Sequence, residues 1–397
     1  MTIPLKYVAH ISAGQSPPSS EVTTIARGLP FLQGNAEFKD FSPEPRLECD
    51  TASKRAQKGD ALLSVRAPVG ALNIANQDYG IGRGLCAIRA QQCDSRFLWW
   101  WLHTQRPRLD AVSTGTTYKA VTAEDVGHLP FPSLSIDSQR HIADFLDTET
   151  ASIDQLMMLR SRQLYLVDKR RASSLDAAFS QDGYESTRLK YLLASRPRYG
   201  VLVPQFIDGD GVRFIRVNDL LDLSGRAASL RQIPHDLSAQ YSRTVTRTGD
   251  VLLSVVGTMG RSAIVPPELE GANIARAVAS LRPRSDVSAE LIAAWLTTPK
   301  FTYQATKATS SDTAQPTLGM EDLSNFKLTW PASLTAQDIL LREVRVIQQR
   351  FANLNRAFLA QSRLLAERRQ ALIAAAVTGQ FDVSTASGRN VTEGVAV

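Results

Sequence analysis

The chain has 397 residues, 43% hydrophobic and 21% charged, with Lys+Arg 45 against Asp+Glu 39 and a formal charge of +6. These values exclude a disordered or fibrous protein, leave room for two or more domains with cores of their own, and give a mildly basic balance that suits an anionic partner without requiring one. Cys49, Cys86 and Cys93 lack CxxC spacing, so neither a disulfide framework nor a zinc site is expected. No run of eighteen apolar residues occurs and "MTIPLKYVAH" lacks a signal-peptide pattern, so no membrane association and a reducing cytoplasm are expected.

From the N-terminus, residues 1–133 read as a mixed α/β domain. "PFLQ" and "ALLSV" are short β-prone runs, the second preceded by a Gly-Asp turn, and "SRFLWWWLHT" is an evident helix. Residues 134–184 carry a long helix: Ile142, Phe145, Leu146, Ile153, Leu156, Leu164 and Val167 recur at intervals of three, four and seven, with no Pro or Gly from Asp137 to Ser180. Residues 185–331 form a second mixed α/β domain with the strands "RFIRV" and "VLLSV" and the helix "AELIAAWLTT". Residues 332–383 carry a second long helix, in which Val344, Ile347, Phe351, Leu354, Phe358 and Leu365 follow a heptad, and 384–397 is an expected disordered tail.

The two domains are copies. "GDALLSV" at Gly59–Val65 returns as "GDVLLSV" at Gly249–Val255, and the match extends in order on both sides. "LKY" recurs at Leu5 and Leu189, "GLPFLQGN" pairs with "GVRFIRVN", "IGRGLCAIR" with "IARAVASLR", "FLWWWLHT" with "LIAAWLTT", and "AEDV" with "MEDL". A helix of forty-odd residues spans roughly 65 Å and has no core of its own, so each apolar stripe needs a partner, and the nearest is the other helix. The expected fold is therefore α+β: two similar mixed α/β domains separated by two long helices packed as an antiparallel coiled coil with pseudo-twofold symmetry. Its interface residues are Ile142, Phe145, Ile153, Leu156, Val344, Ile347, Phe351, Leu354 and Phe358.

The sequence lacks the catalytic motifs GxxxxGK[ST], GxGxxG opening a helix, HExxH and GxSxG, and it has no FxGxG or NPPY-like tetrapeptide of an amino-methyltransferase. "EFK" at Glu37–Lys39 has the Glu-x-Lys form of many nucleases, but no suitably placed Asp precedes it and the second copy lacks it. The histidines His10, His103, His128, His141 and His235 are scattered, none at ligand spacing. No catalytic residue and no metal ligand is assigned.

Several stretches, "ISAGQSPPS", "RFIRVNDLLDLSG", "TGDVLLSVVGTMGRSAIV" and "RRQALIAAAVTGQFDV", together with the duplicated domain-helix arrangement, resemble the specificity subunit of type I restriction-modification enzymes over about residues 5 to 383. The resemblance implies a non-catalytic subunit whose two target-recognition domains each read one half of a bipartite double-stranded DNA target. It implies two methyltransferase subunits docked on the helices, with restriction subunits as further partners, and it places S-adenosylmethionine, ATP and Mg²⁺ on those partners and no cofactor on this chain. The first helix departs from the pattern: it ends "KRRASSLDAAFSQDGYES", keeping only Arg170–Arg171 against Arg368–Arg369 and an Ala-rich last turn.

Base reading needs forked donors and phosphate contact needs cations, hydroxyls or helix amides. The candidate DNA-binding residues are the polar loop Thr116, Thr117, Tyr118 and Lys119 in the first copy and Ser311, Thr313 and Gln315 in the second, with Gln33, Asn35, Arg66, Arg83, Arg216, Asn218, Arg261 and Arg276. Each loop runs into "AED" or "MED", the expected start of a short helix whose N-terminal amides suit a phosphate. Loop divergence, "TGTTYKAV" against "SSDTAQPTL", predicts an asymmetric target. The alternative reading is a coiled-coil scaffold that meets DNA through charge alone; a specific reader keeps a large preference for one sequence as salt rises, a scaffold does not.

Overall fold

The computed structural model describes residues 1–25, 27–39, 42–113, 120–257, 259–309, 316–380 and 383. The chain divides into two compact units: Met1–Arg160 with Ala360–Val397, and Ser161–Leu359. Each unit thus holds one globular domain, the first part of the long helix that follows it, and the last part of the other long helix.

In the first unit a four-stranded antiparallel sheet has the order Ala9–Ala13, Leu85–Ala90, Ala61–Ser64, Leu72–Ile74. Beside it runs a five-stranded sheet in which Pro30–Leu32 pairs in parallel with Tyr79–Ile81, Phe31 opposite Gly80 and Leu32 opposite Ile81. The second unit repeats the frame: Arg198–Tyr199, Val278–Leu281, Val251–Ser254 and Ser262–Ile264 in the same order, and a parallel pair with Phe214 opposite Asn273 and Ile215 opposite Ile274. The expected duplication is a repeat of topology as well as of letters.

The strand Ala61–Ser64 is buried on both faces, as is Val251–Ser254, which is why "ALLS" and "VLLS" are continuous apolar runs and do not alternate. The preceding glycines have φ of +93° at Gly59 and +85° at Gly249, a region that L side chains avoid. The aspartates that follow are buried and perform the same task in both units. Asp60 accepts from the Gln57 amide at 2.8 Å and from Arg89 at 2.7 and 2.9 Å, and Asp250 accepts from the Arg247 amide at 2.9 Å and from Arg282 at 2.8 and 2.8 Å.

The helix Ser95–His103 starts at Asp94, whose carboxylate takes the amides of Arg96 and Phe97, and it buries Phe97, Leu98, Trp101 and Leu102 in the first core. It is clamped to the first long helix by Arg96 on Asp144 at 2.6 Å and Trp100 Nε1 on Asp147 at 2.8 Å. In the second unit the equivalent helix Ala289–Trp295 is clamped with the charges reversed, Arg345 of the second long helix on Glu290 at 2.9 Å.

The long helices run Ile136–Ala178 and Leu334–Thr378. Within the second unit their segments are antiparallel: Asp168 meets Asn355 at 3.3 Å, while Gln181, just past the first helix, meets Glu343 at 2.7 Å. In the first unit Arg369 donates to Asp154 at 2.8 Å. Of the expected interface positions, Ile142, Ile153, Val344 and Phe351 are buried, and Phe145, Ile347 and Phe358 are half-buried. Leu156 and Leu354 are corrections: they are 46% and 37% exposed. A long helix that packs on a domain at one end buries a wide stripe there and a narrow one elsewhere, so a strict heptad overcounts its mid-helix contacts.

The helix termini are core elements. Leu372, Ile373, Ala376 and Val377 of "RRQALIAAAVTGQFDV" join the hydrophobic core of the first unit. The atypical end of the first helix does the corresponding work in the second unit with different residues: Leu175, Ala178 and Phe179 are buried, and Phe179 stacks on Trp330 with ring centroids 6.3 Å apart. Among the described residues no helix is long and apolar enough to cross a membrane.

Candidate nucleic-acid interface

In each unit the segments that leave the parallel strand pair remain in backbone contact and bring the candidate residues to one edge. In the first unit the Gly82 amide donates to Leu32 O at 2.8 Å, the Val65 amide to Gly84 O at 3.0 Å, and the Val121 amide to Val65 O at 3.0 Å. Arg66 then bridges to Ala120. Exposed Gln33, Arg83 and Arg66 and half-buried Asn35 are therefore carried on neighbouring segments. Glycine permits this crowding: a Cβ on Gly84 would lie 2.7 Å from Gln33 O, and one on Gly14 2.2 Å from Gly82 O.

The second unit builds the same edge. The Ala275 amide donates to Ile215 O at 2.9 Å, the Val255 amide to Ala277 O at 3.0 Å and the Leu318 amide to Val255 O at 2.9 Å, and Val256 bridges to Thr317. Gly200 corresponds to Gly14, since a Cβ there would lie 1.8 Å from Ile274 O. Asn218 and Arg276 are exposed on this edge and Arg216 is half-buried. The Tyr199 hydroxyl donates to Leu318 O at 2.8 Å; burial raises its pKa and nearby Arg276 partly offsets that.

Three placements refine the sequence reading. The guanidinium of Arg216 lies 3.2 Å from buried Asp219, which also has Arg226 at 3.7 Å, so Arg216 shapes the turn Val217–Leu221 that presents Asn218. Arg66 and Arg261 occupy different places: Val256 stands where Arg66 does, whereas Arg261 faces Ser254, its carbonyl accepting at 2.8 Å, as Ala71 faces Ser64. The helix after the first loop is also closed to a phosphate. Thr122 and Asp125 form a capping box over Ala123–Gly127, and the Thr122 hydrogen bonds hold the Asp125 carboxyl below its ordinary range, leaving a carboxylate where an anion would sit.

The loop candidates Thr116, Thr117, Tyr118, Lys119, Ser311, Thr313 and Gln315 lie outside the described residues. They are flanked by Ala120 and Thr317, the residues that bridge to each edge. Glu37 and Lys39 show no catalytic cluster: Lys39 is exposed, Glu37 Oε2 is buried without a partner among the described residues, and no group of three or more His, Cys, Asp or Glu among them could hold a metal ion. Sequence reasoning missed the Asp60–Arg89 and Asp250–Arg282 pairs. Their signal was legible: a charged residue at the same place in both copies, at the mouth of one apolar strand and the end of another.

Residues 2–160 match the family described as type I restriction modification DNA specificity domain. The chain is similar to the putative type I restriction enzyme MjaX specificity subunit of Methanocaldococcus jannaschii, 35% identical over 161 residues, which are 40% of this chain and 37% of that protein. It is also similar to the type I restriction enzyme EcoBI specificity subunit of Escherichia coli, 24% identical over 381 residues, 89% of this chain and 79% of that one. The chain thus spans little more than a third of the first relative and about four fifths of the second. Its fold is that of a chain in a solved structure concerned with complex assembly and conformational transition of the type I R-M system, with a TM-score of 0.61, 20% identity and coverage of 95% and 97% of the two chains. Residues 2–160 thus match a type I restriction modification DNA specificity domain, and similarity to a type I restriction enzyme specificity subunit continues through both units.

Proposed function

We propose that this protein is the DNA sequence-specificity subunit of a type I restriction-modification complex, in which each unit reads one half of an asymmetric bipartite target. The carrying observation is the pair of equivalent edges built on one backbone frame: Asn35 and Arg83 recur as Asn218 and Arg276, while Gln33 is replaced by Arg216, and the loops that join each edge differ, "TGTTYKAV" against "SSDTAQPTL". A shared frame joined to loops of different sequence suits reading two different half-sites, because polar side chains discriminate bases by the pattern of groove donors and acceptors.

On this reading the chain performs no chemistry. Methyltransferase subunits carrying S-adenosylmethionine would modify one adenine in each half-site, and restriction subunits using ATP and Mg²⁺ would complete the nuclease. The test is to express the chain with its neighbouring methyltransferase chains and map methylated adenines in genomic DNA. A bipartite motif is expected, and exchange of residues 1–133 for a related domain should change one half only. A motif that is absent, or that persists through the exchange, overturns the reading.

A further inference from the structure

The second unit has a cavity of about 420 Å³ lined by Arg198, Arg243, Arg247 and Arg282, with Glu270 at its rim. Arg282 is held from behind, its Nε and Nη2 donating to buried Asp250 and Nη2 also to Val245 O, while Nη1 has no partner among the described residues. The guanidinium groups of Arg198, Arg243 and Arg247 likewise have no hydrogen-bond or ion-pair partner among the described residues. Glu270 is occupied by the Thr248 hydroxyl at 2.7 Å. Four guanidinium charges against the two carboxylates of Asp250 and Glu270 leave a concave site two charges in excess. Guanidinium groups are fork donors matched to phosphate oxygens.

The first unit lacks this site although it keeps the frame. With Asp60 matched to Asp250, the positions of Arg243 and Arg247 hold Ser53 and Gln57; with Ile88 matched to Leu281 across the sheet, the position of Arg198 holds Ser12. Only Arg89 keeps its counterpart, Arg282. The shared frame therefore needs only the buried ion pair, and the three further arginines are an addition to one unit. They lie at the end of the strand Val278–Leu281 opposite to Arg276, about 20 Å from the reading edge at ~3.3 Å per residue.

We propose that this arginine pocket binds a phosphate group, specifically a backbone phosphodiester of DNA beyond the half-site read by the second unit, so that the protein grips the duplex asymmetrically. The assignment of DNA as the source rests on the proposed function; the pocket's phosphate chemistry does not. The test compares the full-length chain with its variant Arg198→Ser, Arg243→Ser, Arg247→Gln, in which the first unit's residues replace the second's. Duplex binding is measured across a salt series, and inorganic pyrophosphate binding by calorimetry.

The expected result is loss of pyrophosphate binding and a salt dependence of log K shallower by about 0.9 to 1.8, the release from one or two phosphates, with preference among sequences unchanged. Lost pyrophosphate binding with an unchanged salt slope would keep the phosphate pocket and overturn DNA as its source. No change in either measurement overturns the pocket. Should the unmodified chain show no sequence preference, the function reading fails while the pyrophosphate arm still reports on the pocket. All three substitutions are at exposed or half-buried residues, and an unchanged melting temperature verifies that the variant folds.

Discussion

Asp60 and Arg89 form a two-pronged ion pair at 2.7 and 2.9 Å, and Asp250 and Arg282 repeat it at 2.8 and 2.8 Å. The aspartates are 3% and 2% exposed, the arginines 37% and 24%. Each pair ties the entry of one central strand to the exit of its antiparallel neighbour, so the repeated heptapeptide maintains the sheet.

That asymmetry of burial sets an order of costs. Removing an arginine strands a carboxylate out of water, whereas removing an aspartate leaves a guanidinium that can turn to solvent. We expect Arg89→Ala and Arg282→Ala to cost about 3–5 kcal/mol, the range for an uncompensated buried charge, and Asp60→Ala and Asp250→Ala clearly less. Urea unfolding of the four variants measures the order, and equal costs would contradict it.

Gly14 and Gly200 are needed for close approach, Gly59 and Gly249 for backbone conformation. Gly59→Ala meets no atom within 4 Å and should cost about 1–2 kcal/mol through its positive φ alone. Gly14→Ala and Gly200→Ala force a carbonyl away from the reading edge and should be worse in both stability and DNA affinity. Parallel unfolding and binding measurements separate the two kinds of glycine.

His103 packs edge-on against Trp99, with ring centroids 4.6 Å apart, and its Nε2 has no partner among the described residues. Burial pushes its pKa down to about 4, with Arg369 adding to the effect and Asp154 opposing it. The unfolded chain then binds the proton more readily than the folded one between its ordinary value near 6.5 and about 4, so stability falls as pH falls through that window and levels off below it. The contribution is on the order of 3 kcal/mol at most. Denaturation at pH 4 to 7 should show this slope in the unmodified chain and a smaller one in His103→Leu.

Leu146 and Leu340 are fully buried on the long helices, whereas Leu156 and Leu354 are exposed. Leu146→Ala and Leu340→Ala should each cost about 2–5 kcal/mol, the usual range for a core truncation, and Leu156→Ala and Leu354→Ala under about 1 kcal/mol. Similar losses at all four positions would show that the heptad, and not the observed burial, describes the helices.

At the edges, substitution of the exposed cations by Arg83→Ala and Arg276→Ala should weaken binding to any duplex and flatten the salt slope by about 0.9 each, as the loss of a phosphate contact does. Gln33→Ala and Asn218→Ala should instead relax preference at one base pair by about 1–3 kcal/mol. A competition assay against single-base variants of the target distinguishes the outcomes.

The sequence by itself determined the duplication, the α+β character and the two long helices, because each is written in local order: matched blocks, short apolar runs behind Gly-Asp turns, and apolar residues three and four apart without Pro or Gly. It also brought Gln33, Asn35 and Arg83 into positions equivalent to Arg216, Asn218 and Arg276, since copies of a frame share their strand ends. Only the tertiary structure decided what depends on residues remote in the chain. Leu354 lies on the heptad yet stays in solvent, "IAAAV" at Ile373–Val377 completes a core more than two hundred residues upstream, and Arg216, which looked like a base reader, is committed to Asp219. Burial and charge pairing are properties of what folds back against a residue, and periodicity along one segment does not contain that information.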